Sequence, residues 1–281
     1  MKICGACERE LPRESFSGKQ WRIRKSLRRC IECVAAGNEL ALFTKGRVRS
    51  EDDECPICSM LLPIADNETL LHSCCMKTVC IGCQVAARKR GMGDKCPFCR
   101  TPLTRSDEVQ IARIQKRVKA NDPEAIHHLG NCYRHWLHGL EKDVPKAIEL
   151  FERAAELGIK DAHFKLGIIF DECCADEGID KDTARAVKHY EIAAKLGHVE
   201  ARHNLGVSDY LPGSKGFALK HFMISAKLGE EQSLKNVKTM YTEGEASKSD
   251  YAEALRGYHD SVKEMSNPER DEAKEYFGIP V

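Results

Sequence analysis

From residue 122 onward, apolar positions recur with a helical period, and the pattern itself repeats. "EAIHHLGNCY" at 124–133 returns as "DAHFKLGIIF", as "EARHNLGVSD" and, more weakly, as "EQSLKNVKTMY". A second motif, "KAIELFERAAELG", returns as "RAVKHYEIAAKLG", as "FALKHFMISAKLG" and, more weakly, as "EALRGYHDSVKEM". Apolar residues at i and i+4 share one helix face. Ala147 with Phe151, Ala186 with Tyr190, Ala218 with Phe222 and Ala254 with Tyr258 therefore mark the buried stripe of each second helix. Leu129-Gly130, Leu166-Gly167 and Leu205-Gly206 mark the first helices, where small residues let neighbours approach closely. The Leu-Gly that closes the second helices predicts left-handed C-caps. A helix pair of this kind cannot bury its face alone, so the pairs must stack. The pattern predicts an α-solenoid over residues 122–265, with loops of varying length inside the pairs.

The flanks carry their own signals. "SDEVQIARIQKRVKAND" spaces Val109, Ile111, Ile114 and Val118 as a helix, with Ser106 as its cap. It predicts a connecting helix within 104–121. "SNPERDEAKEYF" predicts a capping helix, with a tail, in 266–281, with Asn267 at its start and Pro268 in the first turn. Residues 37–51, within "GNELALFTKGRVRSEDDE", read as a mobile linker. Upstream of residue 104 the helical period gives way to paired cysteines.

The 281 residues suffice for two or three small domains. A net charge of +1 gives no global field toward nucleic acid or an anionic membrane. No apolar run approaches the roughly eighteen residues of a membrane span. The opening "MKICGACERE" has no apolar core of a secretory signal. The expected setting is the cytoplasm or nucleus, where thiols stay reduced.

That setting makes the 15 cysteines informative. Three, Cys132, Cys173 and Cys174, lie in the repeats; Cys173 and Cys174 read as free thiols. The other twelve lie before residue 100 and make three sets of four, the ligand number of a structural zinc. "CGAC" (Cys4, Cys7) and "CIEC" (Cys30, Cys33) are knuckles that converge on one tetrahedral metal. Leu11, Phe16 and Trp21 supply a minimal core between them. This segment, residues 1–36, resembles the small zinc fingers of the Stc type. Its arm carries Lys19, Arg22, Arg24, Lys25, Arg28 and Arg29. A solvated helix face is the simpler account of that run; a phosphate-binding face with Trp21 stacking on a base is the alternative.

"CPIC" (Cys55, Cys58), "CCMKTVCIGC" (74–83) and "CPFCR" (96–100) together resemble a RING finger over residues 52–103. The resemblance implies a cross-brace: Cys55, Cys58, Cys80 and Cys83 on one zinc, Cys75, Cys96 and Cys99 on the other. The common RING pattern would put a histidine where Lys77 stands, and an ammonium cannot bind zinc. Cys74 and His72 are the candidates for the open ligand. Cysteine-only RING fingers favour Cys74, leaving Lys77 to offset thiolate charge. Three structural zinc ions are thus expected, with no open position for catalysis at metal.

In RING ubiquitin ligases an apolar residue in the first knuckle and a proline in the last form a groove for a ubiquitin-conjugating enzyme, and a cation after the last ligand contacts both proteins. Ile57, Pro97 and Arg100 hold those positions. The following helix lacks the tryptophan that often extends the groove; Val85 is the expected substitute. The helical half is similar to Sel-1-like repeats, relatives of the tetratricopeptide kind. The whole implies a mainly α chain: zinc-stabilised modules, then an α-solenoid. Its expected function is that of a RING-type ubiquitin ligase, with a substrate or assembly partner on the repeats. A non-catalytic zinc scaffold and a nucleic-acid-linked adaptor are the rivals. No catalytic nucleophile is expected; His127, His128, His189 and His203 read as surface or packing positions of the repeats.

Overall fold

A computed structural model describes residues 1–172, 179–210 and 214–279. Cys173 and Cys174 lie outside them. The first cysteine-rich module holds a short hairpin, β1 (Lys2–Ile3) with β2 (Glu10–Leu11), then helices α1 (Gly18–Arg22) and α2 (Ile31–Ala35). Helix α3 (Ala41–Thr44) follows. The second module pairs β3 (Thr69–His72) with β4 (Lys77–Cys80), antiparallel, with Thr69 opposite Cys80; α4 (Ile81–Lys89) leaves directly from β4.

Ten helices follow among the described residues: α5 (Asp107–Lys119), α6 (Pro123–Arg134), α7 (Val144–Glu156), α8 (Lys160–Asp171), α9 (Thr183–Lys195), α10 (Val199–Tyr210), α11 (Lys215–Lys227), α12 (Glu231–Thr242), α13 (Lys248–Met265) and α14 (Pro268–Phe277). From α5 to α13 each helix packs on its neighbour in sequence. Asp122, Asp143, Asp182 and Ser247 cap four of them by accepting backbone amides, and Ser106 does the same for α5. The repeat motif has a steric origin. A Cβ at Gly167 would meet the Tyr190 ring at 2.4 Å, and the same aromatic-on-glycine contact joins Phe151 to Gly130 and Phe222 to Gly206. Gly158 and Gly197 end their helices with φ of +94° and +88°, as the Leu-Gly pairs predict. No helix among the described residues is long and apolar enough to cross a membrane.

The segment expected to be a mobile linker is docked. Leu40, Ala41, Leu42 and Phe43 are buried, and Leu42 belongs to the main core of the repeats. Phe43 stacks on Phe217 and lies against His221. Arg202, fully buried, donates to the carbonyls of Leu42, Lys45 and Ala194. The reason is local: "LALF" is too apolar to remain in water, and the turn after it leaves carbonyls for a guanidinium to satisfy.

The last helix also differs from expectation. Asn267 caps α14 with Pro268 in its first turn, but α14 packs on α4 of the second module. Ala273 and Ile279 bury Ile81 and Val85, a better apolar partner than the polar end of a helix stack.

Candidate metal centres

The twelve upstream cysteines come together in three groups of four: Cys4, Cys7, Cys30, Cys33; Cys55, Cys58, Cys80, Cys83; and Cys74, Cys75, Cys96, Cys99. Two kinds of turn aim the sulfurs. In the first, the residue after the second cysteine is left-handed: Glu8, Ser59 and Arg100 have φ of 59°, 54° and 61°. Each returns its amide to the first cysteine's carbonyl, as Ser59 does to Cys55 at 2.8 Å. In the second, the knuckle opens a helix. Cys30 and Cys80 are the N-caps of α2 and α4, accepting from the amides of Cys33 and Cys83.

The spacing fits a metal. Zinc–sulfur bonds of about 2.3 Å in a tetrahedron place sulfurs about 3.8 Å apart. Cys55 and Cys83 are 3.8 Å apart, Cys58 and Cys80 4.0 Å, and Cys75 and Cys96 3.8 Å. Cys74 and Cys99 approach to 3.3 Å. These are free thiols rather than disulfides. They hold protons unevenly. Burial pushes Cys33 up to about 12 and Cys75 up to about 11. Burial also acts on Cys7 and Cys99, but hydrogen bonds from Arg9 and Thr101 respectively bring each down to about 6. A divalent cation among such sulfurs would stabilise all four as thiolates.

The second and third groups alternate along the chain, so each metal would tie together segments that flank the other's ligands. His72 lies outside both groups; it is buried on β3, with Nε2 unpaired. Cys74 is the residue that joins Cys75, Cys96 and Cys99. The Lys77 side chain does not serve these sulfurs. It is exposed and faces a cavity of about 770 Å³ between the second module and the repeats, where Glu124, His127, Lys160 and Asp161 also line the wall. Only its backbone amide reaches Cys75.

A cation that does meet a sulfur of the second group was not foreseen. Arg270 of α14, 1% exposed, donates to Sγ of Cys58 at 3.5 Å and to the carbonyls of Leu61 and Met265 at 2.6 and 2.5 Å. A buried arginine reads as surface in a sequence, and 212 residues separate it from Cys58.

Ile57 and Pro97 line one shallow groove of about 250 Å³ with Ala86, Ala87 and Met92. Val85 is not part of it: it is 4% exposed, covered by Ala273 and Ile279. Ala86 and Ala87 take its place in the groove, and Asn267, Glu269 and Arg270 line the same groove from α14. Arg100 is exposed on its left-handed turn.

The first module is built as its core residues suggest, with Phe16, Leu11 and Trp21 around the sulfurs. Its basic arm is partly turned inward. Arg24 pairs with Glu191 at 2.9 Å and Asp209 at 3.2 Å on the repeats. Arg28 is buried on the carbonyls of Gln20 and Ile23. Lys2 and Arg13 lie over the Trp21 ring. A phosphate-binding face built on that arm would therefore lack Arg24 and Arg28, and the stacking face of Trp21 is already occupied.

Residues 123–159 and 160–198 match the family model of the Sel1 repeat, so α6–α7 and α8–α9 are two such repeats. No curated protein sequence matches the chain. Among solved structures, a Sel1 repeat protein from Oxalobacter formigenes is 28% identical, over 56% of this chain and 64% of that one, with a TM-score of 0.48. A protective antigen of uropathogenic Escherichia coli strains, displaying an SLR fold, is 18% identical over 70% of this chain and 42% of that one, also with a TM-score of 0.48. An immunity protein from Pseudomonas aeruginosa is 20% identical over 69% and 80%, with a TM-score of 0.39. The chain thus spans less than two thirds of the first two proteins. Residues 123–198 thus hold two Sel1 repeats within the helical half, and the cysteine groups ahead of them could hold metal ions.

Proposed function

We propose that this protein is a RING-type ubiquitin ligase with three structural zinc ions, its zinc module recruiting a conjugating enzyme and its Sel1-type repeats holding a substrate or assembly partner. The observation that carries the reading is the alternation of two four-cysteine groups together with a groove that contains both Ile57 and Pro97. Alternating ligands make a rigid cross-brace from a segment too short for a hydrophobic core; each zinc would add on the order of 10 kcal/mol to folding. The groove offers apolar side chains on a rigid rim, and Ile57 is 41% exposed.

Such a ligase forms no covalent intermediate. It holds the charged conjugating enzyme and ubiquitin in the arrangement from which a lysine attacks the thioester, which lowers the entropic part of the barrier. Arg100 would act there, its planar donors reaching two proteins at once. The N-terminal module, read as a Stc-type finger, is paired with the repeats through Arg24.

A second reading, a non-catalytic scaffold, is favoured by one feature: α14 lines the groove and covers Val85. Autoubiquitination by the purified full-length protein decides between them. The ligase reading expects ubiquitin chains that disappear with Ile57→Ala while zinc content stays constant. Absence of chains across a panel of conjugating enzymes would leave the scaffold.

A further inference from the structure

Among the described residues, one more set of metal-binding side chains converges outside the twelve upstream cysteines. His128, Cys132 and His138 place a ligand atom each within 4.8 Å of one another. His128 and Cys132 are four residues apart on α6 and so share a helix face. His138 comes from the loop between α6 and α7. The sequence reads the first as a packing histidine and the second as an unassigned thiol; their i, i+4 spacing is the signal that points elsewhere.

Two observations set this cluster apart from ordinary packing. The first is how His138 is held. Its Nδ1 lies 3.0 Å from a carboxylate oxygen of Asp107, at the start of α5. With Nδ1 so engaged, Nε2 is the nitrogen that would take a metal. Metal-binding histidines are commonly oriented this way, with a carboxylate on the far nitrogen fixing the tautomer. The second is backbone strain. Trp136 and His138 are both left-handed, with φ of 53° and 56°, though neither is glycine. Such a conformation is unfavourable for a residue with a Cβ, and residues held in it mark sites where something else compensates. Trp136 is 64% exposed, so burial of its ring does not compensate. What the turn achieves is to bring the His138 ring to His128, with centroids 6.2 Å apart.

We propose that His128, Cys132 and His138 form a fourth zinc site. One thiolate and two imidazoles are ligands that zinc takes readily. Cys132 is fully buried among Met76, Ile114, Ala125 and Leu129, an apolar surround that would protect a zinc–thiolate bond. Three protein ligands leave the fourth position of a tetrahedron for water, unlike the three groups of four cysteines. The site would tie α5, α6 and the loop before α7 together where the second module meets the first repeat. It is independent of the ligase reading.

The test counts metal on full-length protein saturated with Zn²⁺ and freed of excess by gel filtration. Native mass spectrometry should give four zinc ions for the wild type and three for both Cys132→Ser and His138→Ala. His138→Ala changes a loop residue and carries the test if Cys132→Ser misfolds. Asp107→Asn should keep four ions but release one to a chelator at about 10- to 100-fold lower chelator concentration, the usual effect of losing such an orienting carboxylate. With Co²⁺ in place of zinc, the thiolate-to-metal absorption should lose the share of a single sulfur in Cys132→Ser. Equal metal counts in wild type and both variants, whatever that count, would overturn the proposal.

Discussion

Arg270 donates from Nη2 to Sγ of Cys58 across 3.5 Å, joining the last helix to the first knuckle of the second module. The same guanidinium satisfies the carbonyls of Leu61 and Met265. A zinc bound by four thiolates carries excess negative charge, and a buried guanidinium beside one sulfur offsets it. Arg270→Ala removes that cation and leaves buried carbonyls without a donor. It should lower stability by about 3 kcal/mol, read by chemical denaturation, and raise hydrogen exchange in α14 and α4. Unchanged protection in α14 would show that the guanidinium does not hold the helix in place.

Phe43 tests the docking of the segment between the modules. Its ring is buried against Phe217 and His221. Phe43→Ala should cost about 3–5 kcal/mol, the usual penalty for emptying a core site of that size. A mobile linker would show almost no change in the denaturation midpoint.

Cys74 and His72 compete for one ligand position, and the structure brings Cys74 to the sulfur group while His72 stays apart. Cys74→Ser should therefore remove one metal ion, whereas His72→Ala and Lys77→Ala should retain the full complement. Retention of metal by Cys74→Ser with its loss in His72→Ala would reverse the assignment.

Two imidazoles inside the repeats give a pH dependence. His163 and His189 face each other with Nδ1 atoms 3.1 Å apart. Burial lowers both, and the facing His163 adds to the effect on His189, bringing it to about 4. Unfolded chains would bind these protons near pH 6.5. Between pH 6.5 and 4 the unfolded state thus binds more protons, so stability is lost as pH falls through that window. His189→Gln should flatten the acid side of the thermal-midpoint profile relative to wild type. Parallel profiles for the two proteins would exclude this pair as a source of acid sensitivity.

Short-range order was readable from residues alone. The Leu-Gly and Ala-aromatic pairs predict α6 to α11 because glycine and ring meet within one helix pair, for example Gly167 with Tyr190. C-x2-C spacing predicts the knuckles because each is a single turn. What stayed hidden is long-range. Arg24, Arg202 and Arg270 are each engaged by groups far along the chain, and a basic residue looks the same in a sequence whether it faces water or a buried carbonyl. "LALF" did carry a signal, four apolar residues in a supposed linker. Val85 was misplaced for a related reason: α14 covers it, and nothing in "QVAARKRGMG" refers to α14.

On the proposed ligase reading, the cysteine-rich second module activates a charged conjugating enzyme, and single-turnover discharge of the ubiquitin thioester reads that activation step itself. Wild-type protein should accelerate discharge to free lysine. Arg100→Ala should slow it about tenfold, equivalent to about 1.4 kcal/mol of lost orientation, while zinc content and binding of the uncharged conjugating enzyme stay constant. Discharge by the wild type no faster than without it, across a panel of conjugating enzymes, would rule out the ligase activity.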